Sequence, residues 1–378
     1  MTQSRKVPVT ESTTTPAQAA GTSTVARFEI RFTRFLDHSG KAKALAPLPA
    51  FALDPRQLLP LYRAMVLTRA FDTKTIALQR TGQIGTYASI LGEEAISVAV
   101  GSAMRAEDVL LPAYRHIGAQ FLRGVRLSEI LLYWGGDERG MHFKSCAHDF
   151  PMSVPVASHT SHAVGVAYAM KLKREKRVAV CLLGDGGTSK GDFYEAMNAA
   201  GVWRLPVVFV VNNNQWAISV PCKQQTAAET IAQKAIAAGI PGEQCDGNDV
   251  IAVRHCMDQA LERARRGDGS TLIEALTYRL SDHTTADDAR RYRSEAEVKE
   301  RWQYEPIARL RVYLTSNGVW TETDEQALAA ECAAQLEQAV REYQSVEPMK
   351  PEAMFDHLYE TLPAAFEPQR EQAKKRGN

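Results

Sequence analysis

The run "LLGDGGTSKGDFYEA", residues 182–196, sets a carboxylate, Asp185, among glycines straight after the apolar stretch "RVAVCLL" (177–183). A second apolar stretch, "PVVFVV" (206–211), runs into Asn212, Asn213 and Asn214. In open parallel sheets, ligands bind beyond the carboxyl ends of the strands. An acid and an amide at two such ends offer hard oxygen donors of the kind Mg2+ takes, and Mg2+ fills its other positions with water and substrate phosphate. Gly186 and Gly187 let the backbone come close to a phosphate. A helix starting near Asp192 turns free N–H groups and the positive end of its dipole toward it. The spacing predicts that Asp185 and Asn214 converge on one divalent cation, which in turn holds a diphosphate.

Gly-Asp-Gly by itself is also an ordinary turn between a strand and a helix. The asparagine pair 213–214, separated from it by the 26 residues 187–212, is what favours the metal. A nucleotide phosphate loop fits less well. In "GDGGTSKGD" Lys190 precedes a glycine, whereas G-x-x-x-x-G-K-[ST] needs it to follow one.

The two donors meet only if their strands are neighbours, ~4.8 Å apart. Short continuous apolar runs fit strands buried on both faces. Between them Phe193, Ala196, Met197 and Ala200 recur at helical spacing, with Gly201 expected to stop the helix. "TAAETIAQKAIAAGI" (226–240) reads as a helix, "DGNDVIAV" (246–253) as a turn into a strand or helix, and "TLIEALTYR" (271–279) as a third strand. Such alternation predicts the α/β class, a parallel sheet flanked by crossover helices. Upstream, residues 55–80 read as a helix capped by Asp54, and "GEEAISVAVGSAM" (92–104) as another. Thr323 and Gln326 have capping-box spacing and open a helical C-terminal region. Its stripe of Leu328, Cys332, Leu336 and Val340 faces a core or a partner. The loop "SDHTTADDARRYRS" (281–294) reads as too polar to be buried.

The expected organisation is a disordered tail over 1–26, an arm or edge strand over 27–54, and one α/β domain with C-terminal helices over 55–372. The tail is rich in Ser, Thr, Ala and Pro and lacks the apolar core of a secretion signal. Its few arginines argue against a mitochondrial presequence, so a bacterial cytoplasm is expected ahead of a mitochondrial matrix. With 45 basic and 44 acidic side chains, nothing calls for a nucleic-acid partner. No apolar run approaches the ~18–20 residues of a membrane span. The 6 cysteines include no C-x-x-C, which is how a reducing compartment uses them.

"GDGGTSKGDFYEAMNAAG", "VVFVVNNNQWAISVP", "AQKAIAAGIPG" and "SDHTTADD…YRS" together resemble the alpha subunit of the thiamine-diphosphate-dependent 2-oxo acid dehydrogenases, over roughly residues 30–370. The resemblance implies a thiamine-diphosphate-binding fold. It also implies that Asp185, Asn214 and the carbonyl of Trp216 bind Mg2+, and that Gly184, Gly186 and Gly187 line the diphosphate. Tyr114 and Arg115 match the pair that grips the phosphate end, where an arginine can bond two oxygens at once. Val156, with Val154 beside it, falls where an apolar residue supports the bent cofactor.

The same resemblance makes His283 the histidine of a mobile loop over the site, able to donate a proton in acyl transfer. A lone loop histidine is otherwise a solvated bystander. His142, in the divergent stretch 137–149, is the candidate for the family's other histidine. Asn212 stands where some relatives carry an arginine, and Thr284 where mitochondrial relatives carry a phosphorylated serine.

In this family the carboxylate that activates the cofactor belongs to a separate beta chain, which implies an α2β2 heterotetramer. Glu93 and Glu94 read as helix surface or a buried structural pair. The implied activity is oxidative decarboxylation of pyruvate, with reductive acylation of the lipoyl domain of an acyltransferase. Branched-chain 2-oxo acid or acetoin substrates are the near alternative. A Mg2+-dependent nucleotide hydrolase and a non-catalytic assembly subunit are the alternatives from other classes.

Overall fold

The computed structural model describes residues 22, 24–42 and 47–376, so the expected tail lies almost wholly outside the described residues. In chain order the strands are β1 (Phe32–Thr33), β2 (Val109–Leu111), β3 (Ala179–Gly184), β4 (Val207–Asn213), β5 (Trp216–Ala217), β6 (Val220–Pro221), β7 (Gly242–Asp246) and β8 (Thr271–Leu276). Six of them form one sheet in the order β1-β7-β8-β4-β3-β2. Every neighbouring pair in it is parallel. β5 and β6 form a small antiparallel hairpin just past β4.

Side chains alternate across a strand, and the apolar runs use both faces. Val180, Leu182, Val208 and Val210 join one core with Met65, Ile96, Ile251 and Met257. Ala179, Cys181, Leu183, Phe209 and Val211 join the other with Ala163, Ala167 and Met197. The expected α/β class, with helices on both faces of a parallel sheet, is therefore present. Residues 55–80 form a 3-10 turn, Pro55–Leu58, leading into the helix Leu59–Arg80, with the Asp54 carboxylate accepting from the Arg56 N–H. The C-terminal stripe is buried within the helix Glu322–Gln344. That helix is tied to the first one by Tyr62 donating to Glu325 at 2.7 Å and by Lys74 donating to Glu337 at 2.6 Å.

Several local expectations are corrected. Gly201 does not stop its helix, which runs Gly191–Val202. A Cβ at Gly201 would collide with the carbonyl oxygen of Ala238, so the glycine serves a close approach of backbone rather than a terminus. Residues 226–240 are mostly not helical. Thr230 and Gln233 cap a 3-10 turn, Ile231–Gln233, followed only by Lys234–Ala237, and Gly239 then turns the chain with φ 66°. "DGNDVIAV", read as a turn into a strand or helix, does lead into a helix, Val250–Arg266, capped by Asp249. The C-terminal capping box is Thr321 with Asp324, not Thr323 with Gln326. β2 and β7 carry no sequence signal of their own, being short or, in "GEQCD", mostly polar.

Gly201→Ala is expected to destabilise the chain by about 1–3 kcal/mol, the usual cost of overpacking. Urea denaturation would show a lowered midpoint with an unchanged slope.

Candidate active site

β3 and β4 are parallel neighbours with Gly184 opposite Asn212. Asp185 and Asn214 therefore leave adjacent strand ends, one and two residues beyond that pair. Both line one cavity of about 810 Å3, part of it open to solvent, together with Gly184, Gly186, Gly187, Asn212 and Trp216. Tyr114, Arg115, His116, Val156, His159 and His283 complete much of the wall. The chain thus gathers most of the expected residues at one place. Val154 is half exposed and outside the lining. His142 is not brought in either: it is exposed and follows the 3-10 turn Glu138–Met141.

Asp185 opens a 3-10 turn, Asp185–Ser189. Thr188 closes it, its hydroxyl donating to the Asp185 carbonyl at 2.7 Å, and the buried Lys234 ammonium donates to the Thr188 carbonyl at 2.8 Å. The Asp185 carboxylate is 3 % exposed, and its side-chain hydrogen bond comes from Gln225 Nε2 at 3.0 Å. Burial pushes its pKa up to about 6. A desolvated carboxylate answered by an amide rather than a cation is a site that a divalent ion would complete.

Alternation along β4 sends the asparagines to opposite sides. Asn212 and Asn214 each donate Nδ2–H to Glu93, at 2.6 and 3.0 Å, while Asn213 donates to Glu274 at 2.7 Å. Asn214 Oδ1 accepts from the Trp216 N–H at 3.2 Å, which holds the turn that carries the third expected donor. The diphosphate end also fits. A Cβ at Gly186 would lie 2.6 Å from Ala217 Cβ, while one at Gly184 would meet nothing within 4 Å. Arg115 and Arg279 are 6 % and 0 % exposed. Their guanidiniums donate to the carbonyls of Ser89, His283, Trp216 and Ile218, to the His283 ring and to the Tyr292 hydroxyl. Arg115 thus brings a buried cation with uncharged partners to the cavity wall, where it suits an anion, while Arg279 stands behind His283 and outside the lining.

His283 sits between them, with Nδ1 3.0 Å from Arg115 Nη2 and 3.3 Å from Arg279 Nη1. A guanidinium can only donate, so Nδ1 accepts and the neutral ring carries its proton on Nε2. Burial, then the two arginines, pushes its pKa down to about 4. The loop around it is tied down. His283 N–H donates to Asp287 at 2.9 Å, and Tyr87 and Thr285 exchange two hydrogen bonds at 3.0 and 2.8 Å. Contrary to expectation, part of this loop is buried. Ala289 and Arg293 are inside, and Arg293 donates to the carbonyls of Arg279 and Ser281.

Four site residues were not expected. His116 and His159 are buried in the wall, and burial pushes His116 down to about 3 and His159 down as well. His159 Nε2 lies 2.8 Å from the Leu182 carbonyl. Arg279 follows β8, and Glu93 precedes the helix Glu94–Ala103. Their signals were faint: His116 adjoins Tyr114-Arg115, and Arg279 ends the "TLIEALTYR" run. Of the two readings of Glu93 and Glu94, burial holds and helix surface does not, but they do not act as one pair: Glu94 is paired to Arg69, whereas Glu93 bonds the asparagines of the site.

A parallel α/β chain with a cation–anion cavity at the carboxyl edge of its sheet is the class this geometry defines. Residues 62–352 match the family model described as "Dehydrogenase E1 component", and the chain belongs to that family. It is 44% identical over 321 residues to the 3-methyl-2-oxobutanoate dehydrogenase subunit alpha of Mycobacterium tuberculosis (strain ATCC 25618 / H37Rv), covering 83% of this chain and 86% of the relative. It is 38% identical over 328 residues to the pyruvate dehydrogenase E1 component subunit alpha of Acholeplasma laidlawii, covering 85% and 94%. The same identity holds over 341 residues with the Staphylococcus aureus (strain COL) protein of that name, covering 90% and 91%. The expected family stands, and with it a dependence on thiamine diphosphate.

Asp185 holds its proton more tightly folded, near pH 6, than an ordinary aspartate does near ~3.9. The cofactor-free chain therefore gains stability from this group as pH falls from about 7 to about 4. Asp185→Asn is expected to remove that gain and to raise cofactor-free stability at pH 8 by up to about 3 kcal/mol. Denaturation of both proteins across pH checks it, and an unchanged slope would contradict the assigned burial.

Proposed function

We propose that the chain is the alpha subunit of a 2-oxo acid dehydrogenase first component, working with a beta subunit in an α2β2 assembly and passing the acyl group to a lipoyl domain. The observation that carries this reading is the meeting of Asp185, Asn214, Arg115 and His283 at one cavity in a chain of the E1 family. Residues 55–372 are read as the single domain that binds the diphosphate half of the cofactor.

When bound, thiamine diphosphate supplies a carbon nucleophile for the keto carbon of the substrate. The chain's own residues supply the rest. Asp185, Asn214 and the Trp216 carbonyl would hold Mg2+, as hard oxygen donors suit it. Arg115 would hold the anionic end, with Tyr114 beside it and Gly184, Gly186 and Gly187 giving backbone access. Val156 lends an apolar wall. An anion at Arg115 would offset the positive field on His283 and raise its pKa from about 4. Even neutral, its Nε2–H can donate a hydrogen bond to developing negative charge or to a sulfur leaving as thiolate.

The substrate is read as a 2-oxo acid. Pyruvate and 3-methyl-2-oxobutanoate both fit the relatives' names, and the 44% identity supports the branched-chain reading. A bacterial cytoplasm suits the bacterial relatives and the free cysteines. No helix among the described residues is long and apolar enough to cross a membrane.

Assays of the chain with and without its beta subunit, on pyruvate and on 3-methyl-2-oxobutanoate, are expected to show turnover only for the pair. Robust turnover by this chain alone would refute the split site. His283→Ala is expected to lower lipoyl acylation by about 10²–10⁴-fold while decarboxylation with an artificial electron acceptor falls far less. Equal losses would remove His283 from the transfer step. A thermal shift with ATP and Mg2+ but none with thiamine diphosphate and Mg2+ would favour a nucleotide hydrolase.

A further inference from the structure

One carboxylate serves both asparagines that face the cavity. Glu93 is 1 % exposed, and its two oxygens are divided between them: Oε2 takes Asn212 Nδ2–H and Oε1 takes Asn214 Nδ2–H. An amide has two nearly isosteric ends, one able only to donate and the other only to accept. Without a constraint, Asn214 can present either end to the cavity. An ionised carboxylate offers only acceptors, so it draws Nδ2 and leaves Oδ1 on the opposite side. Oδ1 is then fixed further by the Trp216 N–H at 3.2 Å.

We infer that Glu93 is a positioning residue for the divalent cation: by clamping both amides it presents Asn214 as an oxygen ligand. This rests on the reading of Asp185, Asn214 and Trp216 as the cation site. The rigid support of the clamp is local. Glu93 N–H donates to the Ile90 carbonyl at 2.9 Å, and Ile90 N–H donates to the buried Asp72 carboxylate at 2.9 Å. The chain contains a matched control. Glu274 clamps Asn213 in the same way, but on the face of β4 away from the cavity, and its other oxygen takes the Ala232 N–H at 3.0 Å.

Removing an outer partner of a metal ligand typically costs 10–100-fold in metal affinity. The test is a Mg2+ titration of the thermal transition at fixed thiamine diphosphate, on the full chain assembled with its beta subunit. Glu93→Gln puts an amide against two amides and frees Asn214 to turn. It is expected to weaken Mg2+ by about 10–100-fold, while Glu274→Gln lowers the transition without moving the Mg2+ midpoint. Equal midpoints for wild type and Glu93→Gln, or the same loss in both variants, would overturn the inference and leave the cation site standing. A wild-type transition indifferent to Mg2+ would instead remove the cation site and, with it, the role of Glu93. Should Glu93→Gln not fold, Glu93→Asp keeps the charge but is one methylene too short to reach both amides. A weakened Mg2+ midpoint there supports the inference, and an unchanged one overturns it.

Discussion

The carboxylate of Asp185 is buried with no cation against it, and the rest of the site is arranged around that imbalance. Desolvating an ionised acid is costly unless charge or hydrogen bonds compensate. Here the side chain receives an amide hydrogen bond from Gln225 and remains perturbed. The cost is bearable because Asp185 sits where two buried strands end, on a turn held by Thr188 and Lys234 rather than on a loose loop. Rigid strand ends fix the acid and the amide of Asn214 at neighbouring positions, which is what a small ion with a strict geometry requires.

Opposite charge enters from elsewhere in the fold. Arg115 comes from the segment after β2 and Arg279 from the segment after β8, and both reach His283. The arrangement sets the tautomer of the imidazole and keeps it neutral in the cofactor-free chain. It also ties the histidine to the charge at Arg115, the one of the two guanidiniums that lines the cavity. The loop is not a free flap in this state. Tyr87 and Thr285 hold one side of it, and the buried Arg293 holds the other.

The cavity joins the charged residues Arg115 and Asp185 to much apolar wall, including Val156, Ala157, Leu183, Trp216 and Ile218. Val156 and Ile218 are about half exposed, at 46 % and 57 %. Apolar side chains left open at the mouth of a charged cavity are suited to being covered by a second chain, in keeping with the family's division between alpha and beta subunits.

The strand ends at Asp185 and Asn214, the helix between them and the parallel α/β class were legible in the sequence. Each is written locally, as an apolar run, a break and a helical repeat. The caps and short strands were not. Thr321 rather than Thr323 opens its helix, and β7 is a polar segment that becomes a strand because β1 and β8 flank it. The least legible features were long-range. Glu93 meets Asn214 across 121 positions, and Arg115 meets His283 across 168. His142 looked eligible and lies outside the cavity, while His116 and His159 were overlooked and line it. Sequence by itself determined which residues end the strands, since side-chain alternation and apolar runs are properties of the neighbouring chain. Only the tertiary structure decided which distant charges face those ends, because burial, tautomer and hydrogen-bond partners are set by what packs on top.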